Sequence, residues 1–90
     1  MKKIKPSSRY KKDIKKLDNS LINELKDILD ILVNDLTLDP KYNNHKLKGN
    51  YINYYELHVK PDLLLIYKIN EEDNQIYLTR IGSHSELFKK

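Results

Sequence analysis

The second half of the chain reads as three runs rich in Tyr, Ile, Leu and Val, at 51–59, 63–69 and 76–81. They are split only by Lys60-Pro61-Asp62 and by Asn70-Glu71-Glu72-Asp73-Asn74-Gln75. Aromatic and β-branched enrichment bounded by turn-forming clusters predicts strands, and connections this short can only return the chain antiparallel. The expected result is a three-stranded meander. Its middle strand contains Leu63-Leu64-Leu65-Ile66-Tyr67, which is apolar on both faces and so belongs inside the sheet.

The first half has a different period. Met1 to Lys5 alternates weakly and reads as a short edge strand ending at Pro6, with lysines that discourage pairing with other chains. Ser7 or Ser8 can cap a helix whose apolar stripe is Tyr10, Ile14 and Leu17 and whose outer face is Lys11, Lys12, Lys15 and Lys16. Asp18-Asn19-Ser20 breaks it and caps a second helix, expected over 21–36, with Leu21, Leu25, Ile28, Leu29, Leu32 and Leu36 along one side. Glu24, Asp27, Asp30 and Asp35 are expected to face outward. Residues 37–50 carry Asp39-Pro40, three Asn and Gly49 without helical period, and read as a long loop of the kind that is usually functional or mobile. Gly82 ends the last strand, and 83–88 forms a tail of one helical turn with Leu87 and Phe88 able to pack back. The fold class is α+β, ordered β-α-α-β-β-β with a short C-terminal tail. At 90 residues it forms one domain spanning 1–90.

Composition excludes several alternatives. No apolar run approaches the ~20 residues needed to cross a bilayer, so no membrane role is expected and the cytoplasm is the expected location. The absence of Cys removes a disulfide scaffold and a thiolate zinc site. There is no Gly-rich phosphate loop and no GxSxG elbow. The net charge is +4, but it is segregated: residues 1–16 balance at +7 with Asp13 the one acid, 17–39 at −5, 41–60 at +3 and 61–90 at −1. Such a chain presents one strongly positive face to a polyanion, although lysines also serve simply to keep a small domain in solution.

A meander of this register should gather His58, Asp62, Arg80 and His84 at one end of the sheet. Arg80 is one of two Arg among fifteen Lys, and a planar guanidinium grips a phosphate through two donors as an ammonium does not. These groups suit RNA cleavage through the 2′-hydroxyl. A base takes the 2′ proton, a cation holds the phosphate, an acid protonates the departing 5′ oxygen, and no metal or cofactor is required. Plainer readings stand beside this one. Each His can be a surface residue, Asp62 a turn residue and Arg80 a partner of Glu56 or Asp62. A His/His/Asp metal site is a further alternative, although no H-x-x-H or HExxH spacing is present.

The strings Asp39-Pro40-Lys41-Tyr42, His45-Lys46-Leu47-Lys48-Gly49, Tyr54-Tyr55-Glu56-Leu57-His58-Val59-Lys60-Pro61-Asp62-Leu63-Leu64-Leu65-Ile66-Tyr67 and Arg80-Ile81-Gly82-Ser83-His84-Ser85-Glu86-Leu87-Phe88 resemble the YafQ toxins of the RelE superfamily of type II toxin–antitoxin systems. The likeness covers the C-terminal half closely and the N-terminal helices by pattern. It implies a RelE-like fold and a ribosome-dependent messenger-RNA endonuclease silenced by an antitoxin. The implied active-site positions are His45, His58, Asp62, Arg80, His84 and Phe88. As roles, His84 is expected as general acid, Asp62 or His58 as general base, Arg80 as phosphate clamp, His45 as a further phosphate or proton contact, and Phe88 as a stacking residue. His45 rests on the resemblance alone, because the meander puts Gly49 at the far end from Pro61. The chain departs from the family pattern at Leu63, where Trp is frequent, at Lys46, where Pro is common, and at Tyr55, where Arg is common.

Under this reading Lys11, Lys12, Lys15, Lys16, Lys41, Lys46 and Lys48 hold ribosomal RNA phosphates, no metal ion or cofactor takes part, and DNA is met only through the antitoxin. The competing class is a noncatalytic RNA- or ribosome-binding module of the same fold. A DNA-binding repressor is disfavoured because the helix pair lacks the short Gly turn of a helix-turn-helix.

Overall fold

The strands close into one five-stranded sheet in a computed structural model that describes residues 1–47 and 53–88. In chain order the elements are β1 (Lys3–Pro6), α1 (Ser8–Ile14), α2 (Asn19–Val33), a 3₁₀ turn (Pro40–Tyr42), β2 (His45–Lys46), β3 (Tyr54–Lys60), β4 (Leu63–Asn70), β5 (Gln75–Gly82) and α3 (His84–Leu87). The sheet order is β1-β5-β4-β3-β2, which makes the apolar β4 the central strand. The β3-β4-β5 meander is antiparallel, and β1 joins β5 in parallel at the edge. The expected α+β class and element order hold, and the sheet gains β2. The expected start of the third-from-last strand at 51 lies outside the described residues.

Each helix begins where a side-chain oxygen replaces a missing backbone partner. Ser7 Oγ accepts from the Tyr10 amide at 3.0 Å and donates to the Thr79 carbonyl at 2.7 Å, so the cap of α1 is also fastened to β5. Asp18 caps α2 through the Leu21 amide. The second helix stops at Val33, three residues short of the expected end. Asp35 takes a left-handed φ of 56°, and the Leu36 and Asp35 amides turn back to the Ile31 and Leu32 carbonyls at 3.0 and 3.2 Å. This six-to-one and five-to-two pairing satisfies the last carbonyls and ends a helix. Leu36 therefore leaves the apolar stripe and is 62% exposed, and Val33 takes its place in the core. Asp27, Asp30 and Asp35 face outward as expected, whereas Glu24 is half-buried. Asp35 pairs with the buried Lys2 at 2.7 Å, and Glu24 pairs with Lys60 at 2.8 Å.

The core lies on one face of the sheet. Tyr10 from α1 and Leu25, Ile28 and Val33 from α2 pack on Leu57, Val59, Leu65, Tyr67, Ile76, Leu78 and Ile81. Burying such a side chain stabilises the fold by about 1.5–3 kcal/mol, which outweighs any surface contact and fixes which face of each strand meets the helices. The alternate residues Tyr54, Glu56 and His58 of β3 consequently point to the other face.

Candidate active site

His45 reaches the sheet through structure in a segment expected to be an irregular loop. Asp39 caps the 3₁₀ turn through the Lys41 amide, and the buried Tyr67 hydroxyl donates to Asn44 Oδ1 at 2.6 Å. Burial pushes the Tyr67 phenol up to about 12, so it is a hydrogen-bond donor throughout the physiological range. These ties swing the chain back along β3, where β2 pairs antiparallel with His45 opposite Glu56. The meander alone did not position His45; the short β2 pairing does.

Glu56, which sequence reasoning considered only as a partner for Arg80, lies between two of the candidate histidines. It is almost buried, and its Oε1 lies 3.5 Å from His45 Nε2 and 3.3 Å from His58 Nε2. The imidazole centroids are 6.3 Å apart. His45 Nδ1 is 2.8 Å from the Asn43 carbonyl, which can only accept, so Nδ1 carries the hydrogen and Nε2 is the atom turned to the carboxylate. The available signal was a Glu two residues before a His in an otherwise apolar strand, which puts both on one face.

Arg80 pairs with neither Glu56 nor Asp62. Its Nε and Nη2 donate to Asp13 Oδ2 and Oδ1 at 2.8 and 3.2 Å, and the Ile81 amide donates to Asp13 Oδ2 at 3.1 Å. β1 pairs with β5 only as far as Leu78, so α1 runs past the open edge beyond it and Asp13 occupies that edge. Burial alone pushes the Asp13 carboxyl up, but Arg80 and the Ile81 amide reverse this and hold it below the ordinary carboxylate range. The same pair raises Arg80. Asp13 takes two of the five guanidinium N–H groups.

Register sets the rest. Glu56, Ile66 and Arg80 form one cross-strand row, and His58, Leu64 and Gly82 form the next. With strands about 4.8 Å apart, Glu56 and Arg80 are separated by roughly 10 Å. Asp62 sits exposed in the β3–β4 turn at the same end. α3 follows Gly82 directly. Its capping box runs from Ser83 to Glu86, and a Cβ at Gly82 would lie 3.1 Å from Glu86 Oε1 and 3.3 Å from Leu87 Cδ2. The glycine thus lets α3 sit down on the strand end, leaving His84 exposed with its ring 5.1 Å from Phe88. His58, Asp62, Arg80 and His84 share one end of the sheet, as the meander predicts. The contacts group them as His45–Glu56–His58, Asp13–Arg80 and His84–Phe88.

The first helix ends at Ile14, short of the expected Lys15, Lys16 and Leu17; Lys11 and Lys12 are exposed on it, Lys15 and Lys16 are exposed in the turn that follows, and Lys16 lies 3.9 Å from Glu86. Lys41 and Lys46 are exposed and rest over the rings of Tyr42 and Tyr55. Lys48 lies outside the described residues. Leu63 is half-buried and packs against the core. Among the described residues no group of three or more His, Cys, Asp or Glu is arranged to hold a metal ion, and no helix is long and apolar enough to cross a membrane.

This architecture is shared by solved structures of bacterial toxins. A metal-bound toxin from Helicobacter pylori superposes with a TM-score of 0.87 at 41% identity, covering 98% of this chain and 100% of that one. The Escherichia coli DinJ–YafQ complex superposes with a TM-score of 0.83 at 31% identity, covering 98% and 99%. In sequence, the mRNA interferase toxin YafQ of Escherichia coli K12 is 36% identical over 88 residues, 94% of each chain. The family described as the bacterial toxin of type II toxin-antitoxin system, YafQ, matches residues 2–89, and the chain belongs to that family.

Proposed function

We propose that this toxin is a ribosome-dependent endoribonuclease that arrests translation by cutting messenger RNA in the decoding site. Supporting this reading, two imidazoles, a carboxylate and a guanidinium from distant parts of the chain lie at one end of the open sheet face, and relatives bear the name mRNA interferase. In the reaction the 2′ oxygen attacks phosphorus and the P–O5′ bond breaks, leaving a 2′,3′-cyclic phosphate and a free 5′ hydroxyl. His58 or Asp62 takes the 2′ proton, His84 gives a proton to the departing 5′ oxygen, and Arg80 holds the non-bridging oxygens with donors other than the two that Asp13 takes. Glu56 orients His58 and His45, with His45 a further phosphate or proton contact. Phe88 packs a base or the tail beside His84. Every proton has a protein carrier, so the proposed chemistry proceeds without a metal ion.

The exposed Lys11, Lys12, Lys15 and Lys16, with Lys41, Lys46 and Lys48, hold ribosomal RNA phosphates, and ribosome affinity falls steeply as salt rises. The DinJ–YafQ complex supports an antitoxin partner for this chain as well, acting in the cytoplasm where ribosomes are. The test is incubation with programmed ribosomes at their working Mg²⁺ concentration, in the presence of a chelator selective for transition metals. A new messenger 3′ end in the decoding site, with a cyclic phosphate, is expected. Bound but intact messenger would instead identify a noncatalytic ribosome-binding module, and cleavage abolished by the chelator would overturn the metal-free route.

A further inference from the structure

The open sheet face continues past the candidate site. One row further along the strands, the register aligns Lys5, Tyr77, Lys68 and Tyr54 across four strands, from β1 through β5 and β4 to β3. Tyr54 shares its face with Glu56 and His58 by strand alternation, so this row and the candidate site form one surface with rows about 7 Å apart. Lys68 Nζ stands 5.7 Å over the Tyr54 ring. Together with Asn70 and Thr79 the four residues line a groove of about 490 Å³, and among the described residues that line it there is no carboxylate. The helix-covered face of the same strands is apolar, so alternation by itself would have been satisfied by any polar residue here.

Paired aromatic rings and ammonium groups on a sheet surface are the chemistry of single-stranded RNA binding. Bases stack on the rings whatever their identity, and cations follow the phosphates. A duplex is excluded because its bases are already stacked. We propose that this row is a subsite for the messenger flanking the cut bond, with Tyr54 and Tyr77 stacking unpaired bases and Lys5 and Lys68 holding adjacent phosphates. The inference rests on the endoribonuclease reading for its placement beside the cut, and it concerns binding rather than proton transfer. It is carried by the lack of acids among the described lining residues, the alternation of two aromatics with two cations, and continuity with the candidate site.

The test uses the intact protein, made inactive by His84→Ala, and a fluorescent single-stranded RNA hexamer at low salt. Tyr77→Ala and Tyr54→Ala are each expected to weaken binding about tenfold, and Tyr77→Phe to preserve it. Lys5→Ala with Lys68→Ala should reduce the salt dependence of binding. A hexamer carrying 4-thiouridine should photocrosslink to Tyr54 or Tyr77. Folding of each variant is checked by thermal melting. Binding within twofold of the parent for folded Tyr54→Ala and Tyr77→Ala, with crosslinks elsewhere, overturns the subsite while leaving cleavage untouched. Conversely, tyrosine-dependent binding by a wild-type chain that never cuts sinks the nuclease reading and leaves the subsite standing. Variants that lose antitoxin binding but keep RNA binding would mark the row as a protein interface and also overturn the inference.

Discussion

Neighbouring residues of β3 live in opposite surroundings. Leu57 and Val59 are buried beneath the helices, whereas Glu56 and His58 belong to the open face, where an imidazole, a nearly buried carboxylate and a second imidazole from β2 meet. The helix-covered face is held by apolar burial, which is large, additive and indifferent to direction. The open face has the buried Leu64 and Ile66 of β4 as its floor, and on that floor the site is arranged by a few directional polar contacts, each worth less and each tied to a particular partner. Damage to the first should cost stability, and damage to the second should cost chemistry.

His84→Ala provides the widest separation between the two. On programmed ribosomes, cleavage should fall ~10²–10⁴-fold while the melting temperature stays put, because the ring is exposed and holds nothing in the core. Undiminished cleavage would remove His84 from the reaction. The opposite outcome is expected for Leu57→Ala. This fully buried residue should cost about 2–5 kcal/mol in denaturant unfolding, with any lost activity recovered under stabilising conditions.

Asp13→Asn tests the seam between the faces, since this residue comes from a core-packing helix but holds Arg80. Its loss should cost about 1.5–3 kcal/mol near neutral pH and lower cleavage by freeing the guanidinium. The folded chain holds the Asp13 carboxyl below its unfolded value, so its contribution is complete above the ordinary pKa of about 3.9 and disappears as pH falls through the lower folded value. The stability gap between parent and variant should therefore close on acidification; a gap independent of pH would show that the carboxylate's charge is not involved.

The smallest effect is expected from Gly82→Ala. The new methyl meets Glu86 and Leu87 at 3.1 and 3.3 Å, and easing that contact moves α3 and His84 by a few tenths of an ångström. A stability cost of about 1 kcal/mol or less should accompany a loss of activity of up to about tenfold.

Much of the scaffold was legible because it depends on windows of a few residues. Alternation and turn chemistry set the meander and its central strand, and Ser7 and Asp18 mark helix starts that any reader of caps would find. The end of α2 was misread because Leu36 is in phase with the stripe. What stops the helix is a left-handed Asp where glycine is the usual signal. The resemblance supplied His45 and Phe88, whereas Glu56 was weighed only as a partner for Arg80 and Asp13 only as the one acid among cations, because nothing local distinguishes a carboxylate that meets other side chains from one that meets water.

Sequence by itself determined which residues are apolar at which period, hence the strands, the helices, and the face of each that seeks the core. Only tertiary structure decided that Asp13 would meet Arg80 across 67 positions and that β2 would set His45 opposite Glu56. The reason is physical: backbone dihedrals and burial preferences act between near neighbours along the chain. A bidentate ion pair or a two-residue strand forms only after the packing of whole elements has brought its members within hydrogen-bonding range.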